Sequence, residues 1–125
     1  MYTLRVEADF AAAHYLSHYH GKCEKLHGHN YRVRLFLKGS ILDSGGMLAD
    51  FGQVKDLLRD VLAVLDHGSL NDIESFKNDP SAERIARYIF DEVLARFPPE
   101  GLDPDLLYAV EVFETPRNMA RYTRD

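Results

Sequence analysis

The sequence predicts an α+β domain in which two helices cover one face of a mostly antiparallel, four-stranded sheet. Three observations predict it. Polar and apolar residues alternate in two N-terminal segments, apolar residues recur at helical spacing in two central ones, and a run dense in Val, Leu, Tyr and Phe follows the second helix. A length of 125 residues, with 46% hydrophobic and 28% charged, fits a single domain spanning residues 1–125.

The first strand is read from Tyr2, Leu4, Val6 and Phe10, which alternate with Thr3, Arg5, Glu7 and Asp9. The second is read from His29 to Leu37, with Tyr31, Val33, Leu35 and Leu37 on one face and Asn30, Arg32 and Arg34 on the other. Lys38 to Gly46 forms a loop, and the chain returns through Met47 and Leu48. From Asp50 the period lengthens: Phe51, Val54, Leu57, Leu58, Val61, Leu62 and Leu65 predict a helix ending near Asp66, with Asp50 and Gln53 placed like a capping box. A second helix begins around Asp79-Pro80-Ser81, carries Ile85, Ile89, Phe90, Val93, Leu94 and Phe97, and stops at Pro98-Pro99. Leu106 to Glu114 reads as the third strand, and the tail after Pro116 offers a short fourth. The open edges of such a sheet point to pairing between subunits.

A formal charge of −5 with no basic stripe argues against a general nucleic-acid binder, which needs cations to displace counterions from phosphates. The single cysteine, Cys23, has no intrachain partner, and Met1 to Phe10 has no basic segment leading into an apolar run, so a reducing, cytoplasmic setting is expected. No apolar run approaches the roughly 20 residues that cross a bilayer.

Chemistry concentrates in the histidines. His27 and His29, two apart on a strand, project to one face and can bring two imidazoles to one ion, with Gly28 keeping the middle position small. His14, at the end of Ala11-Ala-Ala-His14, offers a third nitrogen, and three histidines leave one position of a tetrahedral zinc open. His18 and His20 compete with His14 for that role, and spacing does not rank them. Cys23, four residues before His27, would become a thiolate base near a metal. Asp66-His67 can bias a tautomer or pass a proton, although adjacent side chains usually diverge. Glu111 or Glu114 could accept paired hydrogen bonds from an amidine-like edge.

With these segments in hand, the chain resembles the 6-pyruvoyltetrahydropterin synthase family from Phe10 to about Tyr122. Phe10-Ala-Ala-Ala-His14 looks like its first zinc-ligand segment, and Cys23-Glu-Lys-Leu-His27-Gly-His29 like its catalytic cysteine with the other two ligands. Leu65-Asp66-His67 with Leu70-Asn71 is similar to its Asp-His segment, and Phe113-Glu114-Thr115 to its pterin anchor. The resemblance implies the tunnelling fold, in which three subunits close a barrel and two barrels stack into a homo-hexamer with sites between subunits. It implies Zn2+ on His14, His27 and His29, Cys23 as base, Asp66 and His67 as a proton relay from a neighbouring subunit, and Glu114 on the 2-amino-pyrimidine edge. The substrate implied is 7,8-dihydroneopterin triphosphate.

Three residues between Cys23 and His27 look more like the 6-carboxytetrahydropterin synthases than the animal 6-pyruvoyl enzymes, which implies queuosine biosynthesis. The alternatives are the 6-pyruvoyl product, a folate-pathway variant forming 6-hydroxymethyl-dihydropterin, and a non-catalytic zinc or pterin module. The folate variant rests on Glu24, because Glu24-Lys-Leu-His27-Gly-His29 also satisfies its Glu-x-x-His-Gly-His pattern. Relatives commonly show Pro-Thr-x-Glu-Asn where this chain has Pro80-Ser81-Ala82-Glu83-Arg84: Ser81 keeps a hydroxyl for the substrate pocket, and Arg84 replaces an amide. Arg32, Arg34 and Lys25 are candidates for the triphosphate by charge alone.

Overall fold

The computed structural model describes residues 1–18 and 25–125. Its elements run β1 (Tyr2–His14), β2 (His27–Gly39), α1 (Phe51–Ala63), β3 (Gly68–Ser69), α2 (Ala82–Arg96), β4 (Leu107–Thr115) and β5 (Asn118–Thr123), with single 3-10 turns between them. The sheet has five strands in the order β3-β1-β2-β4-β5. This corrects the expected four: β3 is a two-residue strand laid parallel to Ala12 and Ala13 of β1, too short to leave a period in sequence. The other pairings are antiparallel.

Both long strands extend further than alternation suggested. β1 continues past Phe10 through three alanines, which carry no polarity signal, because each finds a partner on β2: Ala11 faces Asn30, Ala12 faces His29 and His14 faces His27. The even residues of β1 and the odd residues of β2 share one face, and there Val6, Phe10, Ala12, His14, Tyr31, Val33, Leu35 and Leu37 are buried.

Both helices cover that face. α1 presents Val54, Leu57, Leu58, Val61 and Leu62 to it, and α2 presents Ile85, Ala86, Ile89, Phe90 and Val93. Each large side chain so buried contributes about 1.5–3 kcal/mol of transfer free energy. α1 stops at Ala63, short of Asp66; Leu65 extends the apolar period because it packs into the core from the following turn. Asp50 caps α1 by accepting from Gly52 N–H at 2.9 Å, but Gln53 does not complete a box: its amide donates to Glu100 O at 2.9 Å.

Among the described residues no helix covers the other face of the sheet. It carries ion pairs between strands, Arg34 with Glu7, Arg32 with Asp9 at 3.2 Å and Arg121 with Glu111 at 3.3 Å. No helix among the described residues is long and apolar enough to cross a membrane.

Candidate metal and ligand site

At one end of the helix-covered face, β1 and β2 bring three imidazoles together. The rings of His14 and His27 have centroids 4.5 Å apart, those of His14 and His29 5.1 Å, and those of His27 and His29 4.7 Å. One ligand atom of each lies within 4.8 Å of the others, so the three could hold a metal ion. Register explains the cluster: His14 lies directly across from His27, and His29 follows on the same face of β2.

The hydrogen bonds decide which nitrogens point inward. His14 Nδ1 is 2.8 Å from Pro80 O, and His27 Nδ1 is 2.7 Å from Lys25 O. A carbonyl only accepts, so both Nδ1 atoms carry the hydrogen and both Nε2 atoms present lone pairs. Yet His14 Nε2 and His27 Nε2 stand 3.0 Å apart. Two lone pairs at that distance repel unless a cation lies between them. His29 Nε2 points into the same place, is buried and has no hydrogen-bond partner among the described residues. Three convergent imidazole nitrogens, with the His14 and His27 rings fixed by carbonyls, could hold a metal ion. Burial first, and then the neighbouring His14 and His27, hold the His29 pKa below its ordinary value, while Glu114 opposes them.

Glu114 follows Val110 and Val112 on the helix-covered face of β4, and its carboxylate is 3.6 Å from His29 Nε2. Tyr31, next after His29 on that face of β2, is fully buried, with its ring stacked on Phe10 at 4.7 Å and edge-on to His29 at 5.4 Å. Burial, aided by the Glu114 charge, pushes the Tyr31 phenol well above its ordinary pKa.

The loop leaving His14 is fastened by side chains that sequence reading did not single out for the purpose. Asn71 accepts from Tyr15 N–H at 2.9 Å and donates to Tyr15 O at 3.0 Å, Asn78 O at 3.1 Å and Asn78 Oδ1 at 3.0 Å. Asp79 accepts from Ser17 N–H at 2.7 Å, Ser17 Oγ at 2.9 Å and His18 N–H at 3.2 Å, and pairs with the His18 ring. His18 is thereby turned away from the triad. Pro80, next in sequence, supplies the carbonyl that fixes His14. The only available signal was composition: Asn71, Asn78 and Asp79 punctuate a stretch between helices.

Ser81 is the N-cap of α2, accepting from Arg84 N–H at 3.2 Å, and so stands one residue from the Pro80 carbonyl. The Arg84 guanidinium donates to Phe76 O at 2.8 Å, closing the turn before the helix. Among the described residues Gly28 is not forced by space, since a Cβ there would meet Ala12 O at 3.8 Å, an ordinary contact. Cys23, Glu24 and His20 lie outside the described residues.

Asp66 and His67 do converge, against the usual divergence of neighbours. His67 adopts a left-handed backbone at φ 58°, which brings its Nδ1 to 2.8 Å from Asp66 Oδ2. Asp66 Oδ1 also accepts from Ala11 N–H at 2.9 Å, and His67 N–H donates to Ala11 O at 2.6 Å, so the pair is strapped to the outer edge of β1. The Ala11 N–H first, and then His67, hold the Asp66 carboxyl below its usual range. The pair opens onto a groove of about 650 Å³ on the helix-free face, shared with Asp9, Asn30, Arg32 and Arg34. Arg34 lies over the Phe113 ring there at 4.7 Å. Lys25 lines no part of it and contributes its carbonyl to His27. The triad and Glu114 line the opposite side of the sheet, so within one chain the pair and the triad do not share a pocket.

Known proteins similar to this chain were found by sequence and by fold. The family model described as 6-pyruvoyl tetrahydropterin synthase matches residues 3–125. The chain is 37% identical over 127 residues to a 6-carboxy-5,6,7,8-tetrahydropterin synthase of Synechocystis sp., covering 98% of this chain and 93% of that protein. It is 37% identical over 107 residues to the 6-pyruvoyl tetrahydrobiopterin synthase of Drosophila melanogaster, covering 82% of this chain and 61% of that longer protein. The solved structure of Caenorhabditis elegans 6-pyruvoyl tetrahydropterin synthase superimposes with a TM-score of 0.84 at 30% identity, covering 99% and 96% of the two chains.

Proposed function

The chain belongs to the 6-pyruvoyl tetrahydropterin synthase family, and from that premise we propose that residues 1–125 form one zinc-dependent pterin synthase domain. The reaction proposed converts 7,8-dihydroneopterin triphosphate and water to 6-carboxy-5,6,7,8-tetrahydropterin, acetaldehyde and triphosphate, a lyase step of queuosine biosynthesis in the cytoplasm. The observation that carries the reading is the convergence of three bare Nε2 atoms beside the Glu114 carboxylate. The Synechocystis relative, aligned over nearly its whole length, favours the 6-carboxy product.

His14, His27 and His29 would hold the zinc, which supplies Lewis acidity toward the hydroxyls of the substrate side chain. Glu114 accepts two hydrogen bonds from the 2-amino and ring N–H groups of the pterin, fixing the ring before chemistry. Ser81, at the start of α2, lies where its backbone neighbours can meet a polar ligand edge. Cys23 takes the carbon-bound proton, and His67, oriented by Asp66, returns a proton as the triphosphate leaves. Since the sheet separates that pair from the triad of its own chain, the relay is supplied by a neighbouring subunit, in keeping with a homo-hexamer. The triphosphate, three linked anions, would draw on Arg32, Arg34 or Lys25.

Incubation of zinc-loaded protein with 7,8-dihydroneopterin triphosphate, with the released pterin identified by mass spectrometry, tests the reading. A 6-carboxy product with acetaldehyde supports it. A 6-hydroxymethyl product would transfer the base role to Glu24, whose spacing to His27 and His29 is the observation favouring that second reading. A 6-pyruvoyl product would indicate the animal-type reaction, and no turnover with zinc bound would indicate a binding module.

A further inference from the structure

The buried face of β2 carries two polar atoms that have no hydrogen-bond partner among the described residues, His29 Nε2 and the Tyr31 hydroxyl. A metal accounts for the first. It does not account for the second, and a hydroxyl sealed from water and unpaired is costly to keep. A phenylalanine would fill the same space, stack on Phe10 in the same way and carry no such cost.

The strand register indicates which residue lies beside Tyr31. Arg32 pairs with Phe113 and Val33 with Val112, so one step further along places Tyr31 beside Glu114 on the helix-covered face. The Glu114 carboxylate leans toward His29 Nε2, at 3.6 Å. With that nitrogen bound to a cation, Glu114 keeps Tyr31 as its hydroxyl-bearing neighbour on this face among the described residues.

We infer that Tyr31 is a positioning residue for Glu114: its hydroxyl donates to the Glu114 carboxylate when the site is filled, orienting the two oxygens for the ligand edge. This rests on the reading of Glu114 as the ligand anchor. Carboxylate oxygens offer about four lone-pair sites, enough to accept from Tyr31 and from two ligand N–H groups at once.

The test is a double-mutant cycle with Tyr31→Phe and Glu114→Gln, read by equilibrium binding of neopterin to zinc-loaded protein, by zinc content, and by urea unfolding of the metal-free protein. Tyr31→Phe is expected to weaken neopterin binding about tenfold, with zinc content unchanged and metal-free stability equal or higher. In the Glu114→Gln background the same change should cost less than about twofold, because the two act as one unit. Equal neopterin binding by wild type and Tyr31→Phe would overturn the inference alone, as would a full tenfold loss in both backgrounds or a Tyr31→Phe variant markedly less stable than wild type. Failure of wild type to bind neopterin would overturn the reading of Glu114 and this inference with it.

Discussion

Replacing Asn71 by alanine removes four hydrogen-bond contacts with one short side chain, three of them sharing the two hydrogens of its amide. Two of them, to Tyr15 N–H and O, are partly buried, and two reach Asn78 at an exposed edge. At about 1 kcal/mol for each bond to Tyr15 and about 0.5 kcal/mol for each to Asn78, the net loss is about 3 kcal/mol. With a urea slope in the usual range of about 1–3 kcal/mol per molar, the midpoint of metal-free protein should fall by about 1–3 M at fixed protein concentration. Aspartate separates the two halves of the side chain: it keeps the acceptor for Tyr15 N–H and turns a negative oxygen toward Tyr15 O and Asn78 O. Asn71→Asp should therefore be no better than Asn71→Ala. Because Tyr15 follows His14 in sequence, both variants should also weaken zinc binding. An Asn71→Ala midpoint within about 0.3 M of wild type, or rescue by aspartate, would refute the clamp.

Removal of any one imidazole, as His14→Ala, His27→Ala or His29→Ala, should weaken zinc binding by more than the about 10–100-fold that loss of an outer hydrogen-bond partner costs, measured by competition with a chromogenic chelator. Ser81→Ala should lower stability by about 1 kcal/mol through the lost α2 cap, and Ser81→Asp should restore most of it in thermal melts. Gly28→Ala should fold and bind zinc as wild type does, since among the described residues its Cβ meets nothing tighter than 3.8 Å. The Asp79 carboxyl is held down to about 2, by the His18 ring first and then by Ser17 and backbone N–H groups, so its contribution is present above the ordinary carboxyl range and is lost as pH falls toward 2. Asp79→Asn should flatten the fall in stability between about pH 4 and pH 2 relative to wild type.

Periodicity made the secondary structure legible where one face is buried and the other is wet. It found the cores of β1, β2, β4 and both helices, because Val33, Leu35, Leu58 and Ile89 are buried for the reason that their spacing implies. It lost the C-terminal end of β1, where Ala11 to Ala13 give no contrast, and it could not register β3, two residues held by pairing alone. The pair His27 and His29 was legible because parity on a strand is local. Spacing alone did not rank the third ring, which the family resemblance gave as His14; choosing it over His18 on physical grounds needs the register of β1 against β2 and the pairing of His18 with Asp79. The approach of Asp66 to His67 depends on a positive φ at a histidine, which residue type does not signal. Tyr31 read as a core aromatic, and only its unpaired hydroxyl separates it from one.

Ala12 sits on β1 across from His29, between Phe10 and His14 on the same buried face. Its neighbours on β1 and β2 in that lattice are all rings, and across its other edge lies Gly68 of β3, so at this position the space beside the imidazoles is bounded by a methyl group. The binding volume is in this sense an omitted side chain. Enlarging Ala12 to valine or leucine would fill that volume with hydrocarbon that suits the core beneath and leaves the backbone pairing of β1 with β2 in place. A folded chain unable to take up metal would then be one substitution away, obtained without altering any of the three histidines.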